Sequence, residues 1–137
     1  MKEPIWIEKE ALVLLHGASL ARFGGAEGIR DEGLLDSALV RPINKFNYTQ
    51  SGHEPSDLAE LAATYAFGLV KNHPFVDGNK RAAFLSMGLF LAINGYSLKA
   101  DQVDAIQTML AVASGELNEE GLSAWIARNA VVSEPSK

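Results

Sequence analysis

Nine consecutive residues, His73-Pro74-Phe75-Val76-Asp77-Gly78-Asn79-Lys80-Arg81, gather an imidazole, a carboxylate, a glycine turn and two cations. They sit where one helical pattern ends and another begins. A helix start offers unpaired N–H groups and a positive dipole end, so it attracts anions. Gly78 lets a ligand approach the backbone closely. Lys80 and Arg81 add cationic donors in the first helical turn, where they oppose the helix dipole unless an anion sits there. Asp77 offers the hard oxygen that a Mg²⁺ ion bridging phosphates requires. His73, just before it, is the residue type that most often takes a proton from an attacking hydroxyl. The set amounts to a base, a metal ligand, an anion cradle and a cationic clamp, the parts of phosphoryl or nucleotidyl transfer.

Taken singly, each residue has a plainer reading. His73 would be a helix C-cap, Asp77 an N-cap, and Lys80 and Arg81 solvated surface charge; their order within nine residues argues for the joint one. The other histidines, His16 and His53, are isolated, and without cysteine or a His-x-x-x-His pair no zinc site is expected. His16, inside a helical pattern, reads as a hydrogen-bonded core or boundary residue. Neither a Gly-x-x-x-x-Gly-Lys-Ser/Thr loop nor a strand-linked Gly-x-Gly-x-x-Gly occurs.

The elements that must hold this segment are helices. The first spans about Glu8 to Ala21, with Ala11, Leu14, Leu15 and Ala18 at helical spacing, and Gly24-Gly25 breaks it. A short helix capped by Asp31 carries Leu34, Leu35, Ala38 and Leu39 and stops at Pro42. Arg41 to Pro55 reads as a long loop. Ser56 is expected to cap a strong amphipathic helix with Leu58, Leu61, Ala62, Tyr65 and Leu69 buried, ending near Asn72 because Pro74 follows His73. From Gly78 to Asn94-Gly95 the chain is apolar nearly all round, so this segment is expected to be the central buried helix. Two more helices follow, one carrying Val103, Ile106, Leu110 and Ala113 and ending at Gly115, the other capped by Asn118 and carrying Leu122, Trp125 and Ile126. A short strand is possible at Pro4 to Ile7, and a frayed tail is expected over Ser133 to Lys137. The fold class is all-α, a helical bundle around one central helix, with residues 1–132 forming one domain.

Composition bounds the rest. The 137 residues are 47% hydrophobic, enough for one core, and the net charge of −5 gives no general pull toward nucleic acid. There is no cysteine, export signal or membrane-length apolar run, which fits a cytoplasmic protein.

His73 to Arg81 resembles the signature of the Fic/Doc superfamily, His-x-Phe-x-Asp-Gly/Ala-Asn-Lys-Arg in its Doc branch. Gly28-Ile29-Arg30-Asp31, Leu34-Leu35-Asp36-Ser37-Ala38 with Arg41-Pro42, and Phe90 to Gly95 are similar to death-on-curing toxins, so the resemblance covers roughly Glu8 to Trp125. It implies that His73 is the base and that Asp77 holds Mg²⁺. It also implies that Gly78 and Asn79 form the anion turn and that Lys80 and Arg81 contact the phosphates of ATP. The Fic branch has a glycine at the place of Lys80 and transfers AMP to hydroxyl side chains; the Doc branch acts as a kinase with the nucleotide reversed. The resemblance further implies a translation elongation factor as substrate and an antitoxin protein as partner. Pro74 and Gly78 are Fic-like whereas Lys80 is Doc-like, and Phe84 replaces the second arginine of the Fic motif. No inhibitory Ser/Thr-x-x-x-Glu-Gly/Asn helix occurs at either end. The expected activity is a toxin-type Ser/Thr kinase, with an AMP-transferase or a catalytically silent antitoxin-binding module as alternatives.

Overall fold

The computed structural model describes residues 2–50 and 57–133. Among these lie six helices: α1 Lys9–Phe23, α2 Glu32–Gln50, α3 Leu58–Asn72, α4 Asn79–Ile93, α5 Gln102–Ser114 and α6 Glu119–Asn129. A two-stranded antiparallel sheet, β1 Tyr96–Leu98 with β2 Ala130–Val132, pairs Tyr96 with Val132 and Leu98 with Ala130. This is the expected helical bundle with one small sheet added. No helix of the described residues is long and apolar enough to cross a membrane.

The central helix is α3, not α4. Every residue from Leu61 to Val70 is buried, and α2, α4, α5 and α6 all pack on it. Small residues explain this: Ala59, Ala62, Ala63, Ala66 and Gly68 let neighbours approach from several sides. At Gly68 a Cβ would come within 3.2 Å of Ala38, so α2 and α3 nearly touch there. By contrast α4 leaves Lys80 exposed and Arg81, Phe84, Leu85 and Leu89 half-buried. The apolar composition of α4 overstated its burial.

Pro42 does not end α2, which runs on to Gln50. The segment from Arg41 to Gln50 is therefore helix, and the rest of the expected loop, 51–55, lies outside the described residues. Proline removes one backbone bond and crowds the preceding turn. Burial offsets that loss: Pro42 is fully buried and Phe46 packs edge-on to Trp6 with centroids 5.7 Å apart. Ser56 also lies outside the described residues, and Asp57 caps α3 by accepting the Glu60 N–H at 2.8 Å. Asp31 caps α2 as expected, accepting the Leu34 N–H.

Two helical faces differ from expectation. In α1 the buried line is Leu12, His16 and Leu20, while Ala11, Leu14 and Ala18 face out. In α5 it is Ala105, Thr108, Met109 and Val112, while Val103, Ile106, Leu110 and Ala113 are exposed. Both helices carry apolar residues on two faces, so spacing alone does not choose between them.

Pro4–Ile7 is not a strand. Side chains hold it instead: Asn94 bonds both the N–H and the C=O of Ile5, and the Tyr65 phenol accepts the Ile7 N–H. Burial pushes the Tyr65 phenol up to about 12, so it stays neutral at that contact. The Ser133 N–H donates to the Gly95 carbonyl at 2.9 Å, and the rest of the expected frayed tail, 134–137, lies outside the described residues.

Candidate functional site

The junction between α3 and α4 is built by three stretches of chain. His73 closes α3 in the left-handed conformation, φ 48° and ψ 54°, and its N–H donates to Leu69 O. The following proline excludes the helical region for His73, but His73 takes the left-handed well and not an extended one. That conformation costs a non-glycine residue about 1–2 kcal/mol, so other contacts must hold it. Arg30 supplies two of them, donating from Nε to the His73 carbonyl at 2.7 Å and from Nη2 to the Asn72 carbonyl at 2.9 Å. A cation there also complements the C-terminal end of the α3 dipole. The stretch around Arg30 lies along the turn: Pro74 O accepts the N–H groups of Arg30 and Asp31, Val76 N–H donates to Gly28 O, and Ile29 bridges antiparallel to Phe75.

Inside the turn, Phe75 is 2% exposed, in the core as expected. The buried amide of Asn79 brackets it, accepting the Phe75 N–H at 3.0 Å and donating to the Phe75 carbonyl at 3.1 Å. The same nitrogen lies 3.3 Å from His73 Nδ1. An amide nitrogen can only donate, so this contact presents Nδ1 as an acceptor and puts the proton of the neutral ring on Nε2. The Asn79 side chain thus orients the turn and the imidazole, and only its backbone is left for an anion.

Asp77 sits at the outer edge. Its Oδ2 accepts the Ala26 N–H at 3.1 Å and its Oδ1 the Gly78 N–H at 2.8 Å. These two backbone donors hold its carboxyl below the usual carboxylate range, with the Arg81 charge as a smaller cause. Gly25 is required beside it: at φ 127° a Cβ there would strike Leu20 at 2.6 Å and press on Asp77 Oδ2 at 3.1 Å. Gly78 caps α4 at φ 72°, and a Cβ there would meet His16 Cε1 at 2.8 Å. His16 is 2% exposed, and its Nε2 bonds the Asp77 carbonyl at 2.9 Å. Burial holds its pKa below the ordinary histidine value, so the ring is neutral.

The α4 first turn has no acidic residue and no side-chain cap. Arg81 reaches back to α1, donating to Gly24 O at 3.0 Å with its guanidinium 5.9 Å from the Phe23 ring centre. Lys80 and Arg81 also line a mostly apolar groove of about 680 Å³, walled by Phe23, Phe84, Ile106 and Leu110.

The sequence-derived residues are therefore brought together as one turn, with Lys80 and Arg81 directed toward the groove. Among the described residues no three His, Cys, Asp or Glu side chains cluster as a metal cage. One exposed, ionised carboxylate beside an anion-ready helix end does fit Mg²⁺, which commonly takes one or two carboxylates and completes its shell with phosphate and water. Sequence reasoning missed His16, Gly25, Ala26 and Arg30 as parts of the site. For His16 the signal was an imidazole at the midpoint of a Leu12–Leu20 apolar line. For Arg30 the signal was its place in the Gly28–Asp31 stretch that resembles death-on-curing toxins, though nothing local joined it to the turn.

Comparison with known proteins identifies the family. The Fic/DOC family model matches residues 6–91. The chain is 32% identical over 122 residues to "Protein kinase doc" of Escherichia phage P1, covering 89% of this chain and 93% of that protein. It is 38% identical over 117 residues to "Toxin Doc" of Mycolicibacterium smegmatis, covering 83% and 86%. The solved BepC effector of Bartonella tribocorum with bound AMPPNP aligns over 73% of this chain and 50% of that one at 19% identity, with a TM-score of 0.48, too distant to inform the site. With its motif, the family model and these two relatives in agreement, the chain belongs to the Fic/DOC family, in the Doc branch.

Proposed function

We propose that this Doc-like toxin is an ATP- and Mg²⁺-dependent protein kinase that phosphorylates a Ser or Thr hydroxyl. The observation that carries the reading is the α4 start. It combines an uncapped first turn without acidic residues, Lys80 and Arg81 within it, and the ionised Asp77 immediately before Gly78. Backbone N–H groups of Asn79 and Lys80 and the two cations bind the phosphates. Asp77 would hold Mg²⁺, which neutralises phosphate charge when bound. His73 Nδ1 takes the proton from the substrate hydroxyl, and the long Asn79 contact gives way. The hydroxyl oxygen then bonds to the γ-phosphorus while the bond to the ADP oxygen breaks, and ADP leaves.

The lysine favours γ-phosphate transfer over AMP transfer, because it fills space beside the phosphate turn where the Fic motif has glycine. Phe84 points the same way, since the position of the second Fic arginine here faces the groove as an aromatic. The groove beside Lys80 has the volume of a small-molecule site and gives the nucleoside a place to lie. The name of the phage relative supports a kinase and that of the mycobacterial one a toxin, and the family resemblance adds an antitoxin partner. The family resemblance suggests a translation elongation factor as target and the cytoplasm as the place of action.

The test uses ATP labelled separately on its α and γ phosphates, the purified protein and a bacterial extract. The expected result is γ-label on a protein band, lost in Asp77→Asn. An α-label would replace the kinase by an AMP-transferase, and no label of either kind would leave only a binding module.

A further inference from the structure

We propose that His16, on the first helix, is a positioning residue of the phosphate turn: its imidazole fixes the Asp77–Gly78 peptide, and through it the Asp77 carboxylate. The inference rests on the nucleotide-binding reading of that turn. His16 lies 61 residues from Asp77 in sequence yet donates to its carbonyl at 2.9 Å. Its ring is lodged between Phe75, with centroids 4.3 Å apart, and Gly78, which has no room for a Cβ against it.

A carbonyl can only accept, so Nε2 carries the proton and Nδ1 is bare. Nδ1 is buried with no hydrogen-bond partner among the described residues. An unsatisfied buried acceptor works against stability, and an apolar side chain of similar volume would avoid it. The imidazole therefore brings something other than packing, and its one polar contact is the Asp77 carbonyl.

That contact has a mechanical effect. The peptide bond is planar and trans, so turning the Asp77 carbonyl inward to His16 turns the Gly78 N–H outward. The outward N–H is the one that bonds Asp77 Oδ1. Ala26 N–H holds the other oxygen. A peptide preceding a glycine is otherwise free to flip, since glycine accepts either sign of φ. By holding one orientation, His16 keeps the carboxylate and the α4 start aimed at the same phosphates.

Two substitutions separate positioning from packing. His16→Leu keeps the approximate volume but has no donor; His16→Gln places an amide N–H at about the reach of Nε2. Melting temperature, amide exchange by NMR, and affinity for a non-hydrolysable ATP analogue with Mg²⁺ are measured on each full-length protein. His16→Leu is expected to melt at or above the wild-type temperature. Its Gly78 and Ala26 amides should exchange faster while those of α3 do not, and its Mg²⁺-nucleotide affinity should fall about tenfold, the scale of one hydrogen bond. His16→Gln should restore most of both. Wild-type exchange and affinity in His16→Leu would overturn the proposal. So would equal losses in both variants with a lowered melting temperature, which would make His16 packing alone. If the wild type itself binds no nucleotide, the kinase reading fails while the exchange of Gly78 and Ala26 still decides the role of His16.

Discussion

The two ends of α4 use the same device for different purposes. At its exit, the Asn94 side chain accepts the Ile5 N–H and donates to the carbonyls of Ile5 and Phe90. At its entry, the Asn79 side chain makes the same reciprocal pair with Phe75. In both cases an amide replaces a missing backbone partner; the Phe75 groups are buried and require one, whereas those of Ile5 are exposed. Both amides have a third partner, and only the entry directs its own to a candidate site residue. There the remaining amide hydrogen points to His73 Nδ1, a non-glycine residue is held at positive φ, and the first turn carries cations in place of the usual acids. A well-tied turn by itself marks structure; a turn tied at a cost marks function.

The largest expected break in this comparison is His73→Ala. Removing a positioned base should lower the transfer rate about 10²- to 10⁴-fold. Because His73 is exposed, circular dichroism and melting should stay close to wild type. A fully active variant would remove His73 from the reaction.

The asparagine pair sharpens it. Asn79→Ala and Asn94→Ala each lose two or three modest hydrogen bonds, about 1–3 kcal/mol of stability in denaturant titrations. Asn79→Ala should also slow transfer when compared at equal folded fraction, whereas Asn94→Ala should not. Equal rates would mean that the entry amide is as purely structural as the exit one.

A smaller effect is set by pH. His16 has a lowered pKa in the folded protein, so on acidification the unfolded chain takes up a proton that the native ring refuses. Its contribution to stability is complete above the ordinary histidine value of 6.5 and is lost as pH falls through and below it. Denaturant midpoints at about pH 7.5 and 5.5 should therefore differ more in wild type than in His16→Gln. The same difference in both would show that His16 does not carry this part of the acid response.

The smallest effect concerns the helical faces. Leu14 is 74% exposed and Leu12 fully buried on the same helix. Leu14→Ala should change stability by less than about 0.5 kcal/mol, against about 2–5 kcal/mol for Leu12→Ala. Comparable losses would restore the face expected from spacing.

These cases also mark what is legible in a chain of this kind. The motif and the positions of all six helices could be read because caps, glycines and apolar periods are local signals. The buried faces of α1 and α5 could not, since Leu12 and Leu14, or Leu110 and Val112, are alike in hydropathy and only the packed neighbours distinguish them. Nor could the continuation of α2 through Pro42, which depends on Trp6 meeting Phe46 from 40 residues away in sequence. Within the site, the residues proposed for the chemistry were contiguous, but those that hold them were not. Arg30 and His16 reach the turn from other stretches of chain, and their roles exist only once the helices are assembled.

The bridge between Ile29 and Phe75 has a consequence for how such a motif travels. The turn borrows Ala26, Gly28, Arg30 and His16 for its shape, so the nine residues are not a portable cassette. Grafted onto another helical hairpin, they would keep every signature letter and lose the carboxylate orientation, the left-handed histidine and the peptide aim together. A homologue that retains the nine letters but has rewritten its first 31 positions should be expected to be a bystander, and a search for active members is better served by both stretches than by the signature alone.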